Sequence, residues 1–175
     1  MAEQLPHNGK FKVIGVKEAD PTKLETRQEI ISLVDSAKHS IYATTRLATR
    51  FFNNLDVEEV YTRAAAKPVK INFLLEPGID WNEKQQEIGW LGTLINNDRQ
   101  DVFKIRQSTE KLPHWIIVDG THIRLEEEHD EKAALVSNSI IYNTKTQKDV
   151  AIKLFAETVL ETFALWWKDS TRVHG

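Results

Sequence analysis

Hydrophobic and polar positions along this chain follow two periods, one typical of strands and one typical of helices. Apolar residues that alternate with polar ones, or form short continuous runs, predict strands, whereas apolar residues three and four positions apart predict helices. The predicted strands are 11–16, 40–45, 69–78, 101–105, 115–120, 121–126 and 139–144. The predicted helices run from about Pro21 to Ala37, and over 55–66, 82–96 and 146–168.

The order of these elements predicts the fold class. Strands and helices alternate up to residue 105, which favours parallel pairing, and three strands then follow one another before the last helix. Asp119 and Gly120 between two of those strands predict a hairpin. We therefore expect an α/β fold with a mixed, mainly parallel sheet and helices on both faces. The sequence has no repeat and no linker, so residues 1–175 are expected to form a single domain, with 1–9 as a disordered N-terminus.

Composition limits the classes of function. The net charge of −3 and the pI near 6.1 argue against a dedicated duplex-DNA binder with a strongly basic surface, but leave room for a local basic groove. The absence of cysteine excludes a thiol nucleophile and a zinc–thiolate site. The acidic run 124–131 is interpreted as a solvated loop rather than a metal site. We expect no metal, no cofactor and no membrane insertion, and a cytoplasmic location, because no secretory signal or spanning segment is present.

Three segments resemble phospholipase D-like domains: TRQEIISLVDSAKHSIYATT (26–45), AAAKPVKINFLLEPG (64–78) and KLPHWIIVDG (111–120). The resemblance covers roughly residues 24–168. In that family the third segment carries the signature His, any residue, Lys, four residues, Asp. The resemblance implies a phospholipase D-like fold. It also implies a homodimer, because the family's active site takes two copies of the motif and this chain has one.

The signature is degenerate in this sequence. Asp119 matches its aspartate, His114 stands at the lysine position, and Leu112 stands where the family has its histidine nucleophile. A leucine has no lone pair to donate in covalent catalysis. If His114 is instead aligned with the histidine nucleophile, Ile116 and Thr121 stand at the lysine and aspartate positions, which is a poorer match. His114 and Asp119 are thus candidate catalytic residues only as motif remnants. The alternative is a histidine at the start of a strand and an aspartate that stabilises a turn.

Polar side chains at other strand ends are the candidate ligand-binding residues. Thr44, Thr45, Arg46 and Arg50 follow the strand 40–45 at the end where α/β sheets bind ligands, and their hydroxyl and guanidinium groups suit an anion. The alternative is an ordinary basic loop. The family's Gly-Ser-x-Asn element has its nearest counterpart, with imperfect spacing, in VSNSIIYN (136–143). That counterpart makes Ser137 and Asn138 candidates as well.

These observations favour a catalytically inactive binding or regulatory module, homodimeric, that recognises an anionic ligand, nucleic acid or a protein partner. Adjacent Trp166 and Trp167 cannot face one direction on a helix, which predicts that one lies at an edge or interface. One alternative is a divergent phosphodiesterase or nuclease that uses His114 together with the partner subunit's His114. The other is a purely structural interaction protein whose cleft holds nothing.

Overall fold

A computed structural model describes residues 11–14, 21–97, 102–126, 139–143 and 150–174. The strands are β1 (Phe11–Ile14), β2 (Ser40–Thr45), β3 (Lys70–Leu75), β4 (Phe103–Gln107), β5 (Trp115–Val118), β6 (His122–Glu126), β7 (Ser139–Asn143) and β8 (Thr171–His174). The helices are α1 (Pro21–Asp35), α2 (Thr49–Phe52), α3 (Leu55–Ala66), α4 (Trp81–Glu87), α5 (Gly89–Asn96) and α6 (Val150–Asp169). The expected disordered N-terminus, 1–9, lies outside the described residues, as do Ser137, Asn138 and most of the acidic run.

The strands form one eight-stranded sheet in the order β1-β7-β6-β5-β2-β3-β4-β8. Only β2–β3 and β3–β4, among the described strands, pair in parallel. The remaining neighbours are antiparallel. This arrangement confirms the mixed α/β fold but corrects the expected predominance of parallel pairing. Parallel neighbours need a long crossover, usually a helix. Helices also join β1 to β2 and β7 to β8, but those strands are not neighbours in the sheet.

Helices cover both faces of the sheet. Residues of α1, α2, α3 and α5 pack with the sheet into the larger hydrophobic core, which includes Val34, Phe52, Tyr61 and Leu91. The opposite face is covered by α6, whose Val159 and Phe163 join a second, smaller core. Because side chains alternate along a strand, successive residues of each central strand serve the two cores in turn. Thus Phe73 and Leu75 belong to the larger core, whereas Leu74 belongs to the smaller one.

Three local features differ from the sequence prediction. The expected helix over 82–96 is two helices, α4 and α5, with a break at the fully buried Ile88, whose ψ of 72° is not helical. The short helix α2 and the strand β8 were not predicted. Strand β8 has only four residues, and its strand conformation depends on pairing with β4.

The two adjacent tryptophans of α6 are both half-buried, and both have aromatic neighbours in this chain. The Trp166 ring packs on Trp115 with centroids 4.7 Å apart, and Trp167 stacks on Phe163 at 6.0 Å. Both rings pack against the smaller core. The sheet under the end of α6 is broad enough for both tryptophan rings to pack on it in different directions. Two adjacent tryptophans at this place therefore do not by themselves require a partner surface.

Candidate functional site

The candidate site lies at the sheet edge where the parallel strands β2 and β3 end. Strand β5 runs antiparallel to β2, with Ala43 opposite Ile116, so the start of β5 lies beside the end of β2. This register brings His114, just before β5, to the same edge as Arg46 after β2 and Glu76 after β3. The carboxyl ends of parallel strands are where open α/β sheets commonly bind ligands.

Glu76 is the centre of this site. Its Oε1 lies 2.8 Å from Nε2 of His114, and its Oε2 accepts a hydrogen bond from Nε of Arg46 at 2.9 Å. The residue is only 6% exposed. Burial would raise the pKa of Glu76, but the hydrogen bond and charge of His114, together with Arg46, outweigh it and lower that pKa. An ionised carboxylate only accepts hydrogen bonds, so Nε2 of His114 carries the proton between them.

The two threonines at this edge form local backbone contacts. The buried Thr44 hydroxyl donates to the carbonyl oxygen of Pro113 and accepts the N–H of Trp115 at 2.7 Å. Thr45 Oγ1 accepts the N–H of Leu47 at 2.9 Å. Thr44 therefore attaches the segment that carries His114 to β2. The single hydroxyl proton of Thr44 is used in this contact. Thr45 stabilises the turn that leads to Arg46.

The two arginines expected at this edge have different surroundings. Arg46 is held by Glu76, and its side chain is 21% exposed. Arg50 lies on α2 and is exposed. The structure therefore presents Arg50 to solvent beyond the edge, while Arg46 belongs to the buried ion-pair group.

Asp119 lies at the other end of β5, away from His114. Its carboxylate accepts three backbone N–H groups, from Lys38 at 3.0 Å, His39 at 2.8 Å and Ser40 at 2.9 Å. These bonds tie the turn between α1 and β2 to the β5–β6 hairpin. Burial would raise the pKa of Asp119, but the three donors outweigh it and hold that pKa below its usual range. The structure does not bring His114 and Asp119 together.

The predicted hairpin is present at Asp119 and Gly120. Both residues have positive φ, 52° and 64°, and the N–H of Thr121 donates to the carbonyl of Val118 at 3.0 Å. Aspartate and glycine are among the few residues that adopt this conformation readily. Asp119 thus forms part of the hairpin turn and also binds the backbone of the neighbouring loop.

The remaining motif positions divide between the core and the undescribed segment. Leu112 is 3% exposed and belongs to the smaller core beside α6. Ser137 and Asn138 lie outside the described residues. The next residue, Ser139, begins β7 and pairs with Glu126 of β6. Leu125, next to Glu126, pairs with Trp115 at the start of β5, so β7 begins at the same sheet edge as the site.

Glu76 is the site residue that the sequence pattern did not single out. It directly follows the apolar strand KINFLL and precedes Pro77 and Gly78. An acidic residue at the end of a buried strand is a signal that this edge carries chemistry, because a carboxylate there must find a partner. The sequence contained that signal, although not the identity of the partners.

No protein-family model and no curated protein sequence matches this chain. Solved structures do match it, and they decide the fold. NucT from Helicobacter pylori has a TM-score of 0.63 and 13% identity, with 94% of this chain and 100% of that chain covered. Nuc from Salmonella typhimurium, a phospholipase D family member, has a TM-score of 0.60 and 20% identity, over 94% of this chain and 98% of that chain. The chain has the phospholipase D-like fold.

A third match is TrmBL2, an archaeal chromatin protein that binds DNA by a novel mode. Its TM-score is 0.65 at 13% identity, and the match covers 95% of this chain. This phospholipase D-like chain spans 55% of the length of the chromatin protein. At these identities the likeness concerns the fold alone.

The part of the chain that the structure describes contains neither a metal-binding cluster nor a membrane-spanning helix. No group of three or more His, Asp or Glu side chains there is arranged to hold a metal ion. Among those same residues, no helix has both the length and the apolar character needed to cross a membrane.

Proposed function

We propose that this phospholipase D-like domain is a non-catalytic binding or regulatory module that acts as a homodimer and recognises an anionic partner, with nucleic acid as the preferred class. One observation carries the proposal: His114, at the motif's lysine position, is bound to the internal carboxylate of Glu76. A lysine at that position would be expected to bind a phosphoryl oxygen, whereas His114 binds a carboxylate of its own chain.

The two motif positions beside β5 are not suited to catalysis. Leu112 has no nucleophilic atom, and it is buried in the smaller core. His114 and Arg46 each direct an N–H donor to Glu76, so these two donors are already used within the protein. A phosphodiester would have to displace a carboxylate that is already fixed in place, which disfavours transition-state stabilisation at this edge.

Recognition of an anion is supported by the surroundings of that ion-pair group. Arg50 is exposed on α2, and Arg46 lies at the same edge behind Glu76. Guanidinium groups bind phosphates with paired hydrogen bonds. A fold neighbour is described as a DNA-binding chromatin protein, which makes a nucleic-acid partner the first class to test. A protein partner is the outcome if nucleic acid does not bind.

The first experiment measures turnover of bis(p-nitrophenyl) phosphate and of single-stranded DNA by the purified protein. We expect no activity above that of His114→Ala. The double substitution Leu112→His with His114→Lys restores the two missing motif residues and serves as a gain-of-function control. Turnover by the unsubstituted protein that His114→Ala abolishes would overturn the non-catalytic proposal.

The second experiment measures binding of a fluorescent oligonucleotide by anisotropy at low salt. Arg50→Ala is expected to lower affinity about fivefold, the effect of one charge near a phosphate in a largely aqueous setting. Arg63→Ala is the matched control, because Arg63 is a half-exposed arginine on α3 that forms ion pairs with Asp35 and Glu59. Equal effects of the two substitutions, or no binding by the unsubstituted protein, would exclude nucleic acid as the partner of this edge.

The homodimer is tested separately by sedimentation equilibrium over a range of protein concentrations. A dimeric mass at micromolar concentration is expected. A mass of one chain throughout would contradict this part of the proposal while leaving recognition by a single copy in place.

A divergent phosphodiesterase is the second candidate, and the His114–Glu76 pair is the observation that favours it. A carboxylate that orients an imidazole is the arrangement found where histidine acts as a nucleophile or general base. In that case Glu76→Gln should reduce kcat by the same order as His114→Ala. Under the non-catalytic proposal there is no kcat for either substitution to reduce.

A further inference from the structure

A second concave feature lies between β4, β8 and the end of α6. It is a pocket of about 190 Å³ lined by Lys104, Arg106, Trp167, Arg172 and His174. Three of these lining residues are cationic, one is a histidine and one is a tryptophan, and none is acidic. The chain as a whole carries a net charge of −3, so this pocket concentrates positive charge against the overall trend. It shares no residue with the site at Glu76.

The backbone explains why these side chains converge. Arg106 on β4 is opposite Arg172 on β8, and a bulge follows, so that the next pair is Ile105 with His174. Val173 packs against the larger core on the other face. The residues on either side of it, Arg172 and His174, therefore point toward the face covered by α6. A bulge of this kind is a common means of redirecting a side chain.

Arg106 is held in place before any ligand arrives. Its Nη2 donates to the carbonyl oxygen of Ser170 at 2.6 Å, and its guanidinium carbon lies 5.5 Å from the centre of the Trp167 ring. Trp167 is in turn stacked on Phe163. A guanidinium fixed by a carbonyl and an aromatic face loses little conformational freedom on binding an anion, which favours affinity.

The lining residues also contain unpaired polar atoms. Nε of Arg106 and Nε2 of His174 are buried and have no hydrogen-bond partner among the described residues. Buried polar atoms are nearly always satisfied, so these two leave the lining residues with hydrogen-bonding capacity that the described residues do not use. Burial lowers the pKa of His174, and the neighbouring charge of Arg172 lowers it further. Burial is the larger cause of this shift, and the charge of Arg172 adds to it.

We propose that this pocket is an oxyanion site that binds the phosphate group of a small phosphorylated ligand. Arg106 supplies a fixed donor at its base, and the exposed Lys104 and Arg172 close on the anion from β4 and β8. The volume is smaller than the roughly 300–1,000 Å³ of typical sites for drug-sized molecules. The pocket therefore suits a phosphate group with a few further atoms, and not a whole nucleotide.

The test is isothermal titration calorimetry with inorganic phosphate, in a buffer whose chloride concentration is held constant. We expect saturable binding to one site, and a loss of about tenfold or more in affinity for Lys104→Ala combined with Arg172→Ala, from two charges at about three- to fivefold each. Both substituted residues are exposed, so the fold is expected to be retained, as circular dichroism would verify. Lys70→Ala, at an exposed lysine on β3, is the matched control and should bind phosphate unchanged.

Three results would overturn the proposal. One is no saturable binding by the unsubstituted protein. Another is an equal loss of affinity with Lys70→Ala, which would indicate only diffuse attraction. The third is a loss with His114→Ala but not with the double substitution, because phosphate would then occupy the site at Glu76. Failure of the functional proposal for that site leaves the expected result for this pocket unchanged.

Discussion

His114 and Asp119 lie at opposite ends of strand β5 and serve different parts of the structure. The four residues between them, Trp115–Val118, extend over roughly 13 Å at about 3.3 Å per residue. His114 contacts Glu76 at the edge of the candidate site, whereas Asp119 binds the backbone of Lys38, His39 and Ser40 at the opposite edge. Their spacing in sequence is therefore the length of a short strand. The two residues do not form a catalytic pair.

Replacing Asp119 should destabilise the fold in a pH-dependent way. Asp119→Ala removes the acceptor of three N–H groups and is expected to lower the free energy of unfolding by about 2–3 kcal/mol at pH 7, the range for a partly exposed charged acceptor. Because the pKa of Asp119 is lowered in the folded state, its contribution is complete above the unfolded value near 4 and is lost as pH falls through the folded value. Urea unfolding at pH 7 and at pH 3 measures both effects. A difference between the two proteins that is the same at pH 3 as at pH 7 would contradict the role assigned to the carboxylate.

Glu76→Gln should lower stability while strengthening anion binding. The substituted amide would keep the shape of the side chain but not the charge that holds His114 and Arg46. The expected cost is about 2 kcal/mol, below the roughly 3–5 kcal/mol for a fully buried pair. The lowered pKa of Glu76 places the loss of this contribution at acidic pH, below about 4, so the two proteins should converge there. Thermal unfolding and oligonucleotide anisotropy on the same samples measure the two effects. A substitution that weakened anion binding would refute the view that Glu76 competes with the ligand.

The Thr44 hydroxyl should matter for stability more than for binding. Thr44→Val leaves the N–H of Trp115 and the carbonyl of Pro113 without their shared partner, and is expected to cost about 1–3 kcal/mol. Thr44→Ser retains the hydroxyl and should cost less than half as much. Urea denaturation of the three proteins gives the ranking. If Thr44→Val were more stable than Thr44→Ser, the methyl group rather than the hydroxyl would be the stabilising element.

Gly120→Ala tests the backbone of the hairpin without a steric contribution. A Cβ at this position would meet no atom within 4 Å, but φ is +64°, so the cost is conformational and about 1 kcal/mol. Gly120→Asn should cost less, because asparagine tolerates this region better. Gly89→Ala is the control, since that glycine has open space and an ordinary φ at the start of α5, and it should not destabilise. Equal losses at Gly89 and Gly120 would argue against backbone conformation as the cause.

Much of the fold was predictable because its local signals agree with its tertiary contacts. The strand 69–78 was predicted from alternating apolar residues, and β3 has those residues in the core. The Asp-Gly hairpin was predicted from turn chemistry and is present, with both φ angles positive. The predictions failed where local signals are weak: β8 has four residues, and α4 and α5 separate at an apolar residue, Ile88, instead of at a glycine.

The candidate site was only partly predictable. Arg46 was selected as a polar residue at a strand end and His114 as a motif remnant, and they share one carboxylate. Glu76 was missed because its position at the end of an apolar strand does not identify the side chains that pair with it. Lys104 and Arg172 of the basic pocket are separated by most of the second half of the chain and meet only through the pairing of β4 with β8.

By itself the sequence determined the α/β class, the central strands and the hairpin, since the period of apolar residues and the φ preference of Asp-Gly are local properties. Only the tertiary structure decided that antiparallel pairs outnumber parallel ones, that Asp119 clamps a loop, and that Glu76 joins His114 to Arg46. Those results depend on which strands become neighbours and in what register. Register is set by burial of whole faces, a property of the entire sheet and not of any one segment.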